Sequence, residues 1–245
     1  MIYFTGDTHG GHDMGKLSNR TLKVQGKVLT KDDYLIILGD FGFPFLDEEI
    51  DETNGEYTYW INWLASKPYT VLWVDGNHDN HPFWNNQPIT EWNGGRVHIH
   101  PRASNVIHLM RGEIYTIDGK KFFAFGGAAS HDKEYRTPNF DWWEDEEASI
   151  DDIENAETNL SKHCHDVDYI IAHTPPAGLL EGFYGVPVEC KTAKYLDTVV
   201  KSTVYKAYLC GHIHRTTYMT NNRFMSIYND VVSEQEVIEY LTGGI

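Results

Sequence analysis

Short runs of apolar residues recur along the 245-residue chain, and most of them end in glycine or in a polar turn. The runs are rich in β-branched and aromatic residues and are continuous rather than alternating, which indicates strands that are buried on both faces of a sheet. The strands are predicted over residues 1–7, 34–40, 69–77, 120–127, 167–173, 204–212 and 223–229.

Three segments between these runs have the periodicity of helices. In residues 147–163 and 192–201, apolar side chains recur at three- and four-residue steps. Residues 58–67 form a third candidate helix, and Pro68 closes it. Strands that alternate with helices indicate an α/β layered fold. Because no internal repeat or linker divides the chain, a single domain over residues 1–245 is expected.

Residues 81–119 have neither pattern and are expected to form hairpin-like strands. Within this segment, "VHIH" places His98 and His100 two residues apart, which is a spacing that metal sites also use. We interpret the pair as one face of an ordinary exposed strand and assign no site to it.

Composition excludes several classes of protein. The formal net charge of −16 argues against a general binder of nucleic acid or of anionic membranes, since both need a basic surface. A small phosphorylated substrate stays compatible with it, because local charge can oppose the net charge. The three cysteines show no C-x-x-C spacing, which argues against a disulfide framework or a thiolate zinc site. No run reaches membrane-spanning length and no signal peptide is recognisable, so a cytoplasmic location is expected.

Polar side chains that can bind metals follow five of the predicted strands. In chain order they are Asp7, His9, Asp40, Asn77, His78, His173, His212 and His214. In open α/β sheets, ligands bind beyond the carboxyl ends of the strands, so these groups are expected to converge on one crevice.

The chemistry of these groups is consistent with a metal site. Carboxylate oxygens, an amide oxygen and neutral imidazoles suit Mn²⁺, Fe or Zn²⁺. Seven candidate ligands, counted without His78, exceed what one tetrahedral zinc would use and suit two ions that share a carboxylate. A glycine precedes four of the strand-end groups, where it permits tight turns and close backbone approach; these are Gly6, Gly39, Gly76 and Gly211.

Five sequence blocks, "GDTHG", "GDFG", "GNHD", "AHTPP" and "GHIH", together resemble the calcineurin-like metallophosphoesterase superfamily. The blocks span residues 6–214, so the resemblance covers nearly the whole chain. It implies a four-layer α/β/β/α sandwich of two mixed β-sheets flanked by helices, with a dinuclear metal site at the strand ends.

The resemblance also implies a role for each residue of the blocks. The first ion would be held by Asp7, His9 and His214, and the second by Asn77, His173 and His212, with Asp40 bridging the two. A metal-bridging hydroxide would then attack phosphorus in line. His78 matches the catalytic histidine of the family, which contacts the phosphate and protonates the leaving alkoxide.

One position departs from the pattern of the family. Many relatives have a second Asp three residues after the bridging one, where it orients the catalytic histidine, but this chain has Phe43 there. Two alternatives follow. Either another acceptor, such as Asp79 or a backbone carbonyl, orients His78, or the ring is poorly held and activity is modest.

Three further residues are candidates for substrate binding. Lys133 and Arg136 lie in a loop that follows a predicted strand and two glycines, and Arg136 could grip a phosphate by a bidentate contact. His12 could border the site. The alternatives are a solvated loop and an ordinary surface histidine.

The expected function is hydrolysis of a small phosphomonoester or phosphodiester, with nucleotides as one substrate class and two divalent ions as cofactors. The alternatives are a protein serine/threonine phosphatase and a non-catalytic scaffold with the same fold. A nuclease is disfavoured because contacts to a phosphate backbone need cations, and this chain is acidic.

Overall fold

The computed structural model describes residues 1–18, 22, 29–46 and 55–244. The strands are β1 Ile2–Thr5, β2 Tyr34–Leu38, β3 Thr70–Val74, β4 Ile89–Trp92, β5 Gly95–His100, β6 Ala103–Leu109, β7 Glu113–Ile117, β8 Lys120–Phe125, β9 Tyr169–Ala172, β10 Ala207–Cys210, β11 Thr217–Met219, β12 Phe224–Ser226 and β13 Val232–Ser233. The α-helices are α1 Glu56–Ala65, α2 His81–Asn85, α3 Ile150–Lys162, α4 Ala177–Tyr184, α5 Lys191–Ser202 and α6 Glu234–Thr242. Each strand predicted from an apolar run is present and shorter than its predicted range.

The strands form two mixed sheets. In the first, the order is β13-β1-β2-β3-β6-β5-β4, with β1, β2, β3 and β6 parallel to one another. In the second, the order is β11-β12-β10-β9-β8-β7, with β12, β10, β9 and β8 parallel. The edges of both sheets carry antiparallel strands. Parallel strands buried on both faces account for the continuous apolar runs.

The two sheets pack face to face around one buried core. Phe4 and Leu38 of the first sheet meet Ile171 and Leu209 of the second in this layer. Helix α1 packs on the outer face of the first sheet, and α3 and α5 pack on the outer face of the second. The fold is therefore an α/β/β/α sandwich, as the resemblance implied. No helix among the described residues combines the length and the apolar character needed to cross a membrane.

The capping and the buried face of α3 explain why this periodic segment forms a helix. Ser149 caps its first turn by accepting the amide hydrogen of Asp152 at 3.1 Å, and the Asp152 carboxylate accepts the amide hydrogen of Ser149 at 2.9 Å. This reciprocal capping satisfies amide groups that a helix start would otherwise leave unpaired. Ala156 and Leu160 face the second sheet. Helix α5 was likewise predicted, whereas α4 and α6 were not, and α2 lies in the segment for which hairpin-like strands were expected.

The prediction that His98 and His100 lie on an exposed face is wrong, because their side chains are 2% and 1% exposed. The reason is that other side chains pack on this face: Nδ1 of His98 lies 3.1 Å from Nδ1 of His108, and the ring centroid of Trp84 lies 5.6 Å from that of His100. His100 accepts the amide hydrogen of Arg102 at Nδ1 (3.1 Å) and donates from Nε2 to the hydroxyl of Tyr57 (3.0 Å). These bonds select one neutral tautomer, and burial lowers the pKa of His100 to about 4.

The carboxyl ends of the parallel strands from both sheets meet at one edge of the sandwich. Asp7 follows β1 and Gly39 follows β2, and the amide of Asp7 donates to the carbonyl of Gly39 at 3.1 Å. Gly211 follows β10 and His173 follows β9, and the amide of Gly211 donates to the carbonyl of His173 at 3.0 Å. Each of these bonds joins two loops of one sheet, and the amide of His212 joins the two sheets by donating to Oδ1 of Asp7 at 3.0 Å.

Candidate active site

The structure brings together the strand-end groups that the sequence singled out. One carboxylate oxygen or ring nitrogen from each of Asp7, His9, Asp40 and His214 lies within 4.8 Å of the others. Nε2 of His9 is 3.1 Å from Nε2 of His214, which in turn is 3.5 Å from Oδ1 of Asp7. Atoms that share a cation at 2.0–2.2 Å lie about 3–3.5 Å apart, so this group could hold one metal ion.

A second group of ligand atoms surrounds Asn77. Its Oδ1 lies 3.1 Å from Nε2 of His173 and 3.1 Å from Nδ1 of His212. The two groups meet at Asp40, whose Oδ2 is 3.6 Å from Nε2 of His9 and 3.4 Å from Nε2 of His173. One carboxylate oxygen therefore faces both groups.

The backbone at the candidate ligands adopts an uncommon conformation. Positive φ angles between 44° and 65° occur at five of them, namely Asp7, His9, Asp40, His212 and His214. For residues other than glycine this left-handed conformation costs about 1 kcal/mol each, so the surrounding fold must hold it.

Two glycines permit the close packing of these loops. A Cβ atom at Gly39 would overlap the imidazole of His173, and one at Gly76 would overlap the carboxylate of Asp40. In the space at Gly39, Nδ1 of His173 donates to the carbonyl of Leu38 at 2.8 Å. That bond turns Nε2 toward Asp40 and the site, which is the ring orientation that a ligand needs.

Asp40 and His173 form a buried ion pair. Burial alone would lower the pKa of His173, but the neighbouring Asp40 carboxylate raises it to about 10. In the same way His173 holds the pKa of Asp40 well below its usual range, against the effect of burial. Burial lowers the pKa of His212, which is therefore a neutral ligand. A bound cation would take the place of the His173 proton beside Asp40.

Sequence reasoning missed the residues that orient Asn77. Its Nδ2 donates to Oγ of Ser130 at 3.1 Å, and this hydroxyl donates to Oε2 of Glu146 at 2.5 Å. The amide of Ser130 donates to Oε1 of Glu146 at 2.8 Å, and both side chains are buried. Because Ser130 accepts from the amide nitrogen, Oδ1 of Asn77 must face His173 and His212.

We expect Ser130→Ala to weaken binding of the cation near Asn77 by about 10–100-fold, the range for changes that release a ligand from its supporting bond. The substitution removes the acceptor for Nδ2, so the amide of Asn77 can rotate. Cation titration by calorimetry measures the effect, and Ser202→Ala at the exposed end of α5 is the matched control. Equal affinities in the two variants, with unchanged thermal stability, would contradict the role of Ser130.

Other contacts of the site also come from outside the sequence blocks. Tyr228 stacks on His214, with ring centroids 4.6 Å apart and an angle of 9°. Nζ of Lys16 donates to the carbonyls of Gly6 and Tyr228, at 2.5 and 2.8 Å, and ties the end of β1 to that loop. No motif or spacing marks these residues, because the contacts arise from loops far apart in sequence.

The structure brings His78 to the site, and no acid among the described residues pairs with its ring. Asp79 accepts the amide hydrogens of Gly42 and Gly76 with its two oxygens, both at 2.7 Å, and does not bind His78. Among the residues that the structure describes, none hydrogen-bonds to the His78 imidazole. Its backbone amide donates to Oδ1 of Asp40 at 2.8 Å. Asp79 therefore joins two ligand loops and does not replace the missing acid.

Phe43, which stands where the resemblance led us to expect an acid, is part of an aromatic cluster. It is buried, with its ring centroid 6.1 Å from Phe41 and 6.0 Å from Tyr57. The imidazole of His78 lies 5.3 Å from that of His9, and burial lowers the pKa of His78. The edge contact with His9 is thus the ring contact of His78 within the described part of the chain.

A cavity of about 480 Å³ adjoins this ring, and His9, His12, Phe43, Glu56, His78 and Arg136 are among the residues that line it. Arg136 donates from Nε and Nη2 to Asp132 at 2.8 Å each, and from Nη1 to the carbonyl of Asp141 at 3.2 Å. Its guanidinium is thus held in place with N–H groups to spare. Lys133 is exposed and is not among the residues that line this cavity.

Comparison with known proteins found a family whose profile matches this chain. The profile of the family described as calcineurin-like phosphoesterase matches residues 1–216, a range that contains every candidate ligand. Comparison with curated proteins found no match. Among solved structures, the chain is similar to phosphopantetheinyl hydrolase (PptH) from Mycobacterium tuberculosis, at 18% identity over 93% of this chain and 89% of that one, with a TM-score of 0.39.

Proposed function

Because the chain belongs to the calcineurin-like phosphoesterase family and is therefore a metal-dependent phosphoester hydrolase, we propose that it cleaves small phosphomonoesters or phosphodiesters at a site for two divalent ions. The observation that carries this proposal is the position of Asp40. A single oxygen of its carboxylate lies 3.6 Å from a nitrogen of one ligand group and 3.4 Å from a nitrogen of the other.

The donor set supports a pair of cations of the first transition row. Asp7, His9 and His214 would hold the first and Asn77, His173 and His212 the second, with Asp40 between them. Oxygen and imidazole ligands without a thiolate suit Mn, Fe or Zn. When bound, two such ions lower the pKa of a water molecule and neutralise charge on a phosphate group.

Two residues of the chain would act on the substrate directly. His78 is proposed to donate a proton to the leaving oxygen, and a phosphate dianion beside its ring would favour the protonated form. Arg136 is proposed to bind a phosphate oxygen with the N–H groups that Asp132 and Asp141 leave unused. Both side chains line the same cavity.

The size of the cavity and the charge of the chain favour a small substrate. About 480 Å³ lies within the range of small-molecule sites. A net charge of −16 opposes binding of a long nucleic acid, which depends on many contacts between cations and phosphates.

The test is hydrolysis of p-nitrophenyl phosphate and of its bis-ester by protein that has been stripped with a chelator and reloaded. We expect little hydrolysis by the stripped protein and recovery with at least one of Mn²⁺, Fe²⁺, Zn²⁺ and Ni²⁺. The ratio of the two rates reports the preference for monoester or diester. Absence of hydrolysis with all four ions, despite measured cation binding, would overturn the proposal in favour of a non-catalytic scaffold.

A further inference from the structure

We propose that the cavity beside His78 binds the leaving alcohol, and that Glu56 selects alcohols that carry an ammonium or hydroxyl donor over those that carry a carboxylate. The inference rests on the proposed function and extends it to a substrate class. The class is a phosphate ester of a ring-bearing alcohol with a hydrogen-bond donor remote from the phosphorus.

The cavity is continuous with the reacting end of the site. His9 of the metal-ligand group, His78 and Arg136 all contribute to its wall. A phosphate held at this end points its leaving oxygen toward His78, since a general acid must lie within hydrogen-bond reach of that oxygen. The organic part of the substrate then occupies the remaining volume.

The aromatic residues of the cavity favour a flat apolar group. Phe43, Phe45 and Tyr57 contribute to its lining. Phe43 and Tyr57 are buried and packed against each other, with centroids 6.0 Å apart, so they form a fixed surface. Ligand sites commonly combine such apolar walls with a few placed polar groups.

Glu56 is a polar group of this cavity that could recognise the leaving alcohol. It lies in the first turn of α1 and lines the cavity, and its carboxylate makes no hydrogen bond or ion pair with any residue that the structure describes. A Cβ atom at Gly11 would overlap this carboxylate and lie 2.6 Å from Nε1 of Trp60. The glycine therefore leaves room for the carboxylate at the wall of the cavity.

The cavity is lined by charged groups of both signs. Arg136 and the cation site attract the phosphate, whereas the carboxylate of Glu56 can only accept hydrogen bonds when ionised. A donor on the leaving group would pair with it, and a carboxylate there would be repelled. An acid at the start of a helix also stabilises the helix dipole, but that role alone predicts no effect on substrate choice.

Four phenyl phosphates with para-ethyl, hydroxyethyl, aminoethyl or carboxyethyl groups test the inference, because their leaving groups differ little at oxygen. We expect the aminoethyl ester to have a KM about fivefold below that of the ethyl ester, the size of a partly exposed ion pair, and the carboxyethyl ester the highest KM. Glu56→Gln should remove these differences. Glu154→Gln, an exposed acid on α3, should keep them.

A glycine pair provides a second arm of the test. Gly11→Ala should displace the Glu56 carboxylate and raise KM for the aminoethyl ester selectively. Gly15→Ala is the matched control, because a Cβ atom there meets nothing within 4 Å. Equal effects of the two substitutions would contradict the proposed placement of Glu56.

Binding of the product phenols to the metal-free protein separates this inference from the proposed function. Calorimetry should show that tyramine binds more tightly than 4-ethylphenol and that Glu56→Gln abolishes the difference. Hydrolysis of all four esters with equal KM values would overturn the inference and leave the proposed function intact. If neither these esters nor the p-nitrophenyl esters are hydrolysed, the proposed function fails, and the binding of the two phenols still decides whether Glu56 selects donors.

Discussion

Asp40→Asn is expected to lower kcat/KM by about a thousandfold and to remove most of the bound metal. The carboxylate lies between the two ligand groups, so its charge would offset both cations at once. Losing several kcal/mol of such charge stabilisation corresponds to about three powers of ten in rate. Asparagine keeps the size of the side chain but removes its charge.

The carboxylate of Asp40 also contacts two other residues of the site. Its Oδ1 accepts the backbone amide of His78 at 2.8 Å, and its buried partner His173 depends on the carboxylate for its raised pKa. Metal content per chain and kcat/KM are the two measurements. Asp118→Asn, at an exposed turn with a similar left-handed backbone, is the matched control. A metal content equal to that of the unmodified protein would refute the bridging role.

The second large effect is expected from His78→Ala, and its size should depend on the leaving group. Loss of a general acid lowers the rate by about 10²–10⁴-fold when the leaving group is a poorly acidic alcohol. The loss should be much smaller for p-nitrophenyl phosphate, because p-nitrophenolate leaves without being protonated. Metal content should not change, since the ring is not a proposed ligand.

Rates for a series of alkyl and aryl phosphates, plotted against the pKa of the leaving alcohol, measure this effect. The His78→Ala line should be steeper than that of the unmodified protein. His163→Ala, at the carboxyl end of α3, should not alter the slope. A uniform loss across the series would show that His78 binds the phosphate without donating a proton.

The replacement of an acid by Phe43 shows where sequence reasoning stopped. The sequence identified the departure but left open which group supports His78. Asp79 is adjacent to His78 in the chain, yet its two carboxylate oxygens accept hydrogen bonds from the amides of Gly42 and Gly76. These two glycines lie in the loops after β2 and β3. Adjacency along a loop does not fix the direction of a side chain, because direction follows from the donors that the fold brings near.

The supporting residues of the site were beyond sequence reasoning for the same reason. Ser130 and Glu146 flank Asn77 only because segments after β8 and before α3 fold against the end of β3. Likewise, "VHIH" has an alternation that either an exposed or a buried strand could carry. Its burial was decided by Tyr57 and Trp84, which helices α1 and α2 place on the face that carries His98 and His100.

The sequence by itself determined the buried strands, the amphipathic helices and the metal-binding residue types at the strand ends. These features depend on local rules, because strand and helix periods, glycine turns and ligand chemistry are all carried by neighbouring residues. The tertiary structure decided which of those groups face one another, how Asn77 is oriented and that Glu56 stands in the cavity beside His78. Those contacts join residues from separate loops, so their geometry follows from the packing of the two sheets and α1.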